Sequence, residues 1–184
     1  MSNYHYFAAS LPYLSIGTPP PIRFHYFLSL CREHLSSYDF SALMALESEK
    51  DTFGKGITYK ELSHPFVQKW RNFLSQLNNA IITLRAKFLA IDPLLYINAS
   101  CNEFSLYIEN SVKYAFEQEN PLEKELILDR LRWEESERIG GFNIFSGNAI
   151  LGYSIRLHIA ERWASLNETK GHEVVDKLIQ SVKF

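Results

Sequence analysis

Apolar residues recur at steps of three and four along most of the chain, which is the period of an amphipathic α-helix. The longest such pattern runs from about Phe66 to Leu89, after Ser63 and Pro65 and before Asp92 and Pro93. Its apolar stripe comprises Phe66, Trp70, Phe73, Leu77, Ile81, Leu84 and Phe88. Because Pro disfavours a helical residue before it, the pattern predicts one long helix that ends near Asp92.

Shorter patterns of the same period predict further helices on both sides. One follows Pro21, a short one covers 41–47, and a third is centred on 104–115. Another begins at Asn120 and Pro121 and is terminated by Gly140 and Gly141. The stretch 146–166 is apolar on nearly every side, so we expect it at the centre of a bundle or beneath a partner. A last helix is predicted from Val174, Val175, Leu178, Ile179 and Val182.

These patterns predict an all-α fold, a helical bundle of about six to seven helices with an extended N-terminal arm. Period-two alternation occurs only over 3–9, which is too short to found a sheet. We expect a single α-helical domain over 1–184, with the loop at 49–64 as the best candidate for a sub-boundary. In the arm, the prolines at 19–21 keep the chain extended. Its predicted apolar anchors are Phe7, Leu11, Tyr13 and Leu14.

The apolar N-terminal stretch raises the question of export or membrane insertion. A secretory signal needs early positive charge and an unbroken apolar core, but the first Lys or Arg is Arg23, and Pro12 interrupts the run. No stretch approaches the roughly 20 apolar residues that cross a bilayer. We therefore expect no membrane span and a cytoplasmic location.

The composition argues against nucleic acid as a partner and against a catalytic or cofactor-binding site. Thirteen Phe, ten Tyr and three Trp supply core material, and the net charge of −2 gives no basic footprint for nucleic acid. Cys31 and Cys101 are solitary, which favours a reducing compartment. The GKG at 54–56 lacks the Ser or Thr and the spacing of a phosphate-binding loop. We expect no cofactor and no catalytic residues.

A metal site is the one chemical alternative that the pattern leaves open. His158 and Glu161 lie one helical turn apart, and both side chains could reach one ion. Carboxylate-bridged bundles need several such pairs on facing helices, and this chain offers one HxxE pair and no ExxH. A solvated strip on a buried helix is therefore the preferred interpretation, and a helical-bundle metalloenzyme remains the alternative.

A partly basic band beside the stripe of the long helix is the best candidate for contact with another protein. Arg71, Asn78 and Arg85 share it, and a guanidinium forks onto carboxylates or carbonyls. Pairing with Glu residues of a neighbouring helix is an equally good explanation. Arg156 and Arg162 of the 146–166 helix complete the predicted protein-interaction residues.

Three stretches together resemble an uncharacterised family of small bacterial proteins encoded among the genes of a V-type (A-type-like) ATP synthase. They are YFAASLPYLSIGTPPPI, WRNFLSQLNNAIITLRAKFLAIDP and DRLRWEESERIGGFNIFSGNAILGYSIRLHIAERW. The matching features are the SLP-x-L opening, Asn78 and Asn79 with the Leu-Arg-Ala at 84–86, Arg132 and Trp133, and the closing Glu-Arg-Trp at 161–163.

The resemblance implies a non-catalytic accessory subunit of the rotary enzyme, similar to its rotor-capping protein, which is named C in prokaryotic and d in eukaryotic enzymes. The capping protein links the central stalk to the membrane rotor ring, so these would be the partners. It is much longer and has three similar parts, whereas this chain has no internal repeat. A helical adaptor with an unrelated protein partner is the alternative.

The basic band generates a first prediction. Arg71→Glu combined with Arg85→Glu is expected to weaken assembly with partner subunits, because it reverses both charges, while leaving helical content unchanged. Co-purification and circular dichroism measure the two effects. If the double variant instead loses its helical signal, the two arginines are internal supports.

Overall fold

The computed structural model of the chain describes residues 4–48, 64–98 and 105–166, and within these ranges its regular structure is entirely helical. The all-α prediction is confirmed. The predicted helix at 174–182 and nearly all of the loop at 49–64 lie outside the described residues. The α-helices are α1 (His5–Ser10), α2 (Phe24–His34), α3 (Ser37–Ser48), α4 (Pro65–Leu89), α5 (Leu106–Phe116), α6 (Pro121–Gly140) and α7 (Gly147–Ser165), with a 3₁₀ turn at Pro93–Leu95.

A side-chain cap from the preceding residue satisfies one of the first N–H groups in five of these helices, and Ser36 Oγ does so for α3. Ser105, Asn120 and Ser146 cap α5, α6 and α7 through side-chain oxygens. The imidazole of His64 takes this role for α4. Two helices end at a positive φ: Ala90 follows α4 at 53°, and Gly141 follows α6 at 78°.

The four long C-terminal helices pack side by side in a defined order. α7 is antiparallel to α6, because Ala149 at its start lies beside Gly140 at the end of α6, and Arg162 near its end lies 3.7 Å from Glu125 in the first turns of α6. α5 is antiparallel to α6, since the Tyr107 hydroxyl donates to Glu134 at 2.8 Å. The chain returns beside α4 after the 3₁₀ turn, where Asn79 makes two hydrogen bonds to the Asn98 backbone.

The stripe of α4 is buried over its first half only. Phe66, Trp70, Phe73 and Leu77 belong to the core, Ile81 and Leu84 are half-buried, and Phe88 is 74% exposed. α7 contacts α2, α3 and α6 and buries residues on several sides. Its predicted central position is therefore confirmed. No described helix is both long and apolar enough to cross a membrane.

The N-terminal arm differs from its prediction at two points. The stretch with alternating residues forms the short helix α1, and irregular chain follows from Leu11 to Arg23. Phe7 and Leu14 are buried, as predicted, but Tyr13 is 89% exposed, so its assignment as an anchor is wrong. The arm is fixed instead by the Tyr153 hydroxyl, which donates to the Pro12 carbonyl at 2.9 Å.

Close packing of α6 on α7 generates a second prediction. A Cβ on Gly152 would lie 2.7 Å from the backbone carbonyl oxygen of Ser136, which cannot move aside alone. Gly152→Ala should therefore lower the free energy of unfolding by about 1–3 kcal/mol, the usual range for overpacking.

Gly140→Ala is the matched control, because its Cβ would make ordinary contacts at 3.5 Å and beyond. It should be neutral or stabilise by up to about 1 kcal/mol through the unfolded state. Urea unfolding of both variants measures the difference, and equal stabilities would contradict the proposed contact.

Candidate functional site

A buried carboxylate joins three distant parts of the chain. Asp39 Oδ2 accepts hydrogen bonds from the Tyr4 hydroxyl at 2.5 Å and the Ser36 hydroxyl at 2.9 Å. Asp39 Oδ1 lies 3.1 Å from His64 Nε2. Because His64 Nδ1 accepts from the Phe66 N–H, the ring hydrogen is assigned to Nε2, which donates to Asp39. We call Tyr4, Ser36, Asp39 and His64 the carboxylate node.

The carboxylate node also fixes the start of α7. A Cβ on Gly147 would lie 2.5 Å from Asp39 Oδ1, so only glycine at this first helical position lets the carboxylate approach. A negative charge at a helix N-terminus interacts favourably with the helix dipole. The node therefore connects the N-terminal residues, α3, α4 and α7.

Asp39 is held in its charged form. Burial acts to raise the pKa of Asp39, but hydrogen bonds from Tyr4, His64 and Ser36 outweigh burial and lower the pKa overall. A carboxylate that accepts several hydrogen bonds is expected to behave in this way.

The geometry of His64 is that of a structural residue. Its Nδ1 accepts from the cap of α4 and its Nε2 faces Asp39, so neither nitrogen is available to a substrate. The side chain is 2% exposed, and the Tyr38 ring packs over it with centroids 4.7 Å apart. A general base needs a reachable lone pair, which this arrangement does not present.

An open cavity of about 500 Å³ lies beside the carboxylate node. Its volume is sufficient for a small ligand or for a side chain of a partner protein. It is lined by Ser36, Tyr38, Asp39, His64, Pro65, Ser146, Gly147 and Asn148.

Large exposed apolar side chains surround this end of the bundle. Phe142 is fully exposed, and Tyr6, Tyr38 and Ile144 are each more than half exposed. We call these four residues the aromatic end. Tyrosine and phenylalanine are enriched at protein interfaces, where one side chain buries a large area.

The loop that carries Phe142 and Ile144 is fixed by its neighbours. The Tyr4 N–H donates to the Phe145 carbonyl at 2.8 Å, and the rings of His5 and Phe145 have centroids 4.5 Å apart. Asn143 accepts from the Phe145 N–H at 3.1 Å. The backbone is therefore ordered while the exposed side chains face outward.

The two predicted interaction residues of α7 make internal contacts. Arg156 contacts Glu137 at 2.6 Å and lies within about 6 Å of two aromatic rings. Arg162 contacts the buried Asp129, which also accepts from Arg132 and Trp163. Both arginines therefore brace α7 against α6.

The three predicted residues of α4 lie elsewhere, so the structure does not bring the five together. Arg71 and Asn78 are half-buried, and Arg85 is exposed, with its guanidinium 6.0 Å from the centroid of the Phe116 ring. Their role in an interface stays a prediction.

Each of the two residues of the metal alternative makes a polar contact with another helix, so the preferred interpretation of a solvated strip is wrong for them. His158 Nε2 lies 2.7 Å from Glu47, and Glu161 accepts from the Phe24 N–H at 2.9 Å, which caps the start of α2. Among the residues that the structure describes, no group of three or more His, Cys, Asp or Glu is placed to hold a metal ion.

Sequence reasoning missed the carboxylate node. Ser36 and Asp39 form an S-x-x-D pattern, a signal for a helix start, and Ser36 Oγ indeed accepts from the Asp39 N–H at 3.2 Å. That signal is local. The bonds to Tyr4 and His64 join residues 35 and 25 positions away, which a single sequence does not reveal.

Comparison with known proteins places the chain in a family without assigning a role. Residues 57–184 match the family described as "Protein of unknown function (DUF2764)", and the chain belongs to that family. The matched region contains α4–α7, whereas Tyr4, Ser36 and Asp39 lie before it. No curated protein and no solved structure matches the chain.

The carboxylate node generates a third prediction. Asp39→Asn should lower the free energy of unfolding at neutral pH by about 2–3 kcal/mol, because hydrogen bonds to a buried charge are lost. The folded-state pKa of Asp39 lies below its ordinary value of 3.8, so its stabilisation is present above that value. As the pH falls through the lowered pKa, that stabilisation is lost, and the gap between wild type and variant should narrow.

Urea unfolding from neutral to acidic pH measures this gap. Glu109→Gln is the control, since Glu109 pairs with Lys113 on the surface of α5 and should contribute about 0.5 kcal/mol. Equal effects of the two substitutions, or a gap independent of pH, would contradict the role of the node.

Proposed function

We propose that this chain is a non-catalytic helical subunit of a bacterial V-type ATP synthase, and that it binds where the central stalk meets the membrane rotor ring. The observation that carries the binding role is the aromatic end, which is exposed and yet held in place by the carboxylate node. The resemblance of the three sequence stretches supports the identity of the partners.

Binding through the aromatic end follows from its exposure and its order. Large exposed apolar patches on folded proteins commonly mark interaction sites. Buried aromatic anchors supply much of the affinity at interfaces. Because the loop of Phe142 and Ile144 is already fixed, association costs little ordering entropy. The adjoining cavity offers space for a side chain of the partner.

The hydrogen bonding of the buried polar side chains supports a non-catalytic role. Asp39 and Asp129 are buried carboxylates, and both are occupied by donors from other segments. In the described ranges, no buried side-chain nitrogen or oxygen lacks a hydrogen-bond partner. Catalytic groups must be able to reach a substrate, whereas these groups are committed to packing helices together.

A place in a rotary enzyme is consistent with the bracing of the bundle. A subunit that transmits torque must resist sliding between its helices. The bonds of Arg156 to Glu137 and of Arg162 to Asp129 cross the α6–α7 interface at separate levels, which opposes such sliding. A position on the ring would make the protein peripheral to the membrane through its partners.

Affinity purification tests the proposal and its surface. The tagged chain is expressed in a bacterium that encodes it and purified from membranes in mild detergent. Stalk and ring subunits should co-purify. Phe142→Ser with Ile144→Ser should reduce their recovery strongly, because one interface anchor of about 2 kcal/mol corresponds to roughly thirtyfold in affinity.

Tyr114→Ser is the matched control, since Tyr114 is also exposed but lies near the end of α5, away from the aromatic end. It should leave recovery unchanged. Absence of every ATP synthase subunit from the wild-type sample would overturn the assignment. An unrelated partner that is lost with the double variant would favour the adaptor alternative.

A further inference from the structure

The cavity beside the carboxylate node contains a negative charge that its hydrogen bonds stabilise but do not neutralise. Among the described residues that line the cavity, Asp39 is the only one with a formal charge, and 12% of its side chain remains accessible. Its donors Tyr4, Ser36 and His64 are all uncharged, because the one ring hydrogen of His64 is on Nε2. In the described part of the chain, no Lys or Arg forms an ion pair with Asp39.

The other buried carboxylate of the bundle is arranged differently. Asp129 forms ion pairs with Arg132, at 2.7 Å, and with Arg162. Such pairing is usual for a charge that is removed from water. The start of α7 compensates Asp39 only in part, because a helix N-terminus is equivalent to roughly half an elementary charge. Net negative charge therefore remains at the cavity, where it attracts a cation.

The walls of the cavity suit a planar cation that has hydrogen-bond donors. Tyr38 lines the cavity, is 52% exposed and belongs to the aromatic end as well. A guanidinium stacks on such a ring and also donates to carboxylate and amide oxygens. Asn148, half-buried at the second position of α7, lines the same cavity and carries an amide oxygen. The volume of about 500 Å³ accommodates one arginine side chain.

We propose that this cavity binds an arginine side chain of the partner protein, with its guanidinium against the Tyr38 ring and near the Asp39 carboxylate. The preference for a guanidinium follows from the residues of the cavity, whereas the partner as its source rests on the proposed function. Arginine is enriched at protein interfaces together with aromatic residues, and both often supply much of the binding energy. The partner segment would therefore present an arginine among apolar residues that contact the aromatic end.

Titration of the isolated chain, followed by NMR, tests the cavity without the partner. The probe is N-acetyl-arginine amide, which carries a guanidinium and no other charge. N-acetyl-citrulline amide is the matched control, because its urea group has nearly the same shape and no charge. The arginine probe should shift the backbone amide signals of 36–39 and 146–148, with a dissociation constant about fivefold below that of the control. Equal binding of both probes, or shifts confined to other parts of the chain, would overturn the proposal.

Asn148 offers two variants that leave Asp39 in place. Asn148→Asp adds a carboxylate to the cavity wall and should tighten binding of the arginine probe several-fold, whereas Asn148→Lys adds an ammonium and should abolish it. Because the two variants are expected to act in opposite directions, a general loss of structure cannot imitate the result. Asn110→Lys is the matched control, since Asn110 is exposed on α5, and it should leave binding unchanged. Weaker binding by both Asn148 variants, or no change in either, would contradict the proposal.

Purification of the tagged chain from membranes tests the partner as the source of the arginine. Asn148→Lys should reduce recovery of the partner subunits several-fold, and Asn110→Lys should not. Full recovery with Asn148→Lys would overturn the partner's arginine as the occupant, even where the free probe binds. Absence of all ATP synthase subunits from the wild-type sample would instead overturn the proposed function, while the probe titration still decides whether the cavity selects a guanidinium.

Discussion

Removal of the Asp39 carboxylate from water is the constraint on which the arrangement of the bundle depends. A buried charge costs several kcal/mol unless it is hydrogen-bonded. Here the donors come from Tyr4, Ser36 and His64, so the charge is satisfied only when three separate segments meet. Burial of apolar surface alone tolerates many arrangements of helices. The carboxylate node forms only when the helices are arranged so that its three donors reach Asp39, and it thereby favours that arrangement over the others.

The same reasoning explains how α7 is oriented. For a helix that is apolar on nearly every side, burial of apolar surface specifies the rotation about its axis only weakly. Its first residue, Gly147, packs against the Asp39 carboxylate, and its last turns present Arg162 and Trp163 to the buried Asp129. Carboxylates therefore fix both ends of the central helix. A polar contact within an apolar core often sets register in this way, as in coiled coils.

The sequence was sufficient for local features and insufficient for distant ones. The spacing from Phe66 to Leu77 identified the buried face of α4, but it could not show how far neighbouring helices extend, so the exposure of Phe88 was not foreseen. The six-residue α1 was missed because so short a helix depends on tertiary contacts, here the bond from Tyr4 to the Phe145 carbonyl. Tyr13 was wrongly assigned as an anchor because a tyrosine suits an apolar or a wet environment equally well.

The carboxylate node and the aromatic end are physically one unit. The Tyr38 ring packs over His64 while more than half of Tyr38 remains exposed, so a side chain of the aromatic end also covers the node. Tyr4 likewise donates its hydroxyl to Asp39 and its N–H to the loop that carries Phe142. Half of the aromatic end lies in the region that matches the family, and Tyr6 and Tyr38 lie before it. The shape of the surface therefore depends on a charge buried beneath it. A partner that binds this surface binds well only when the N-terminal residues are docked on the bundle.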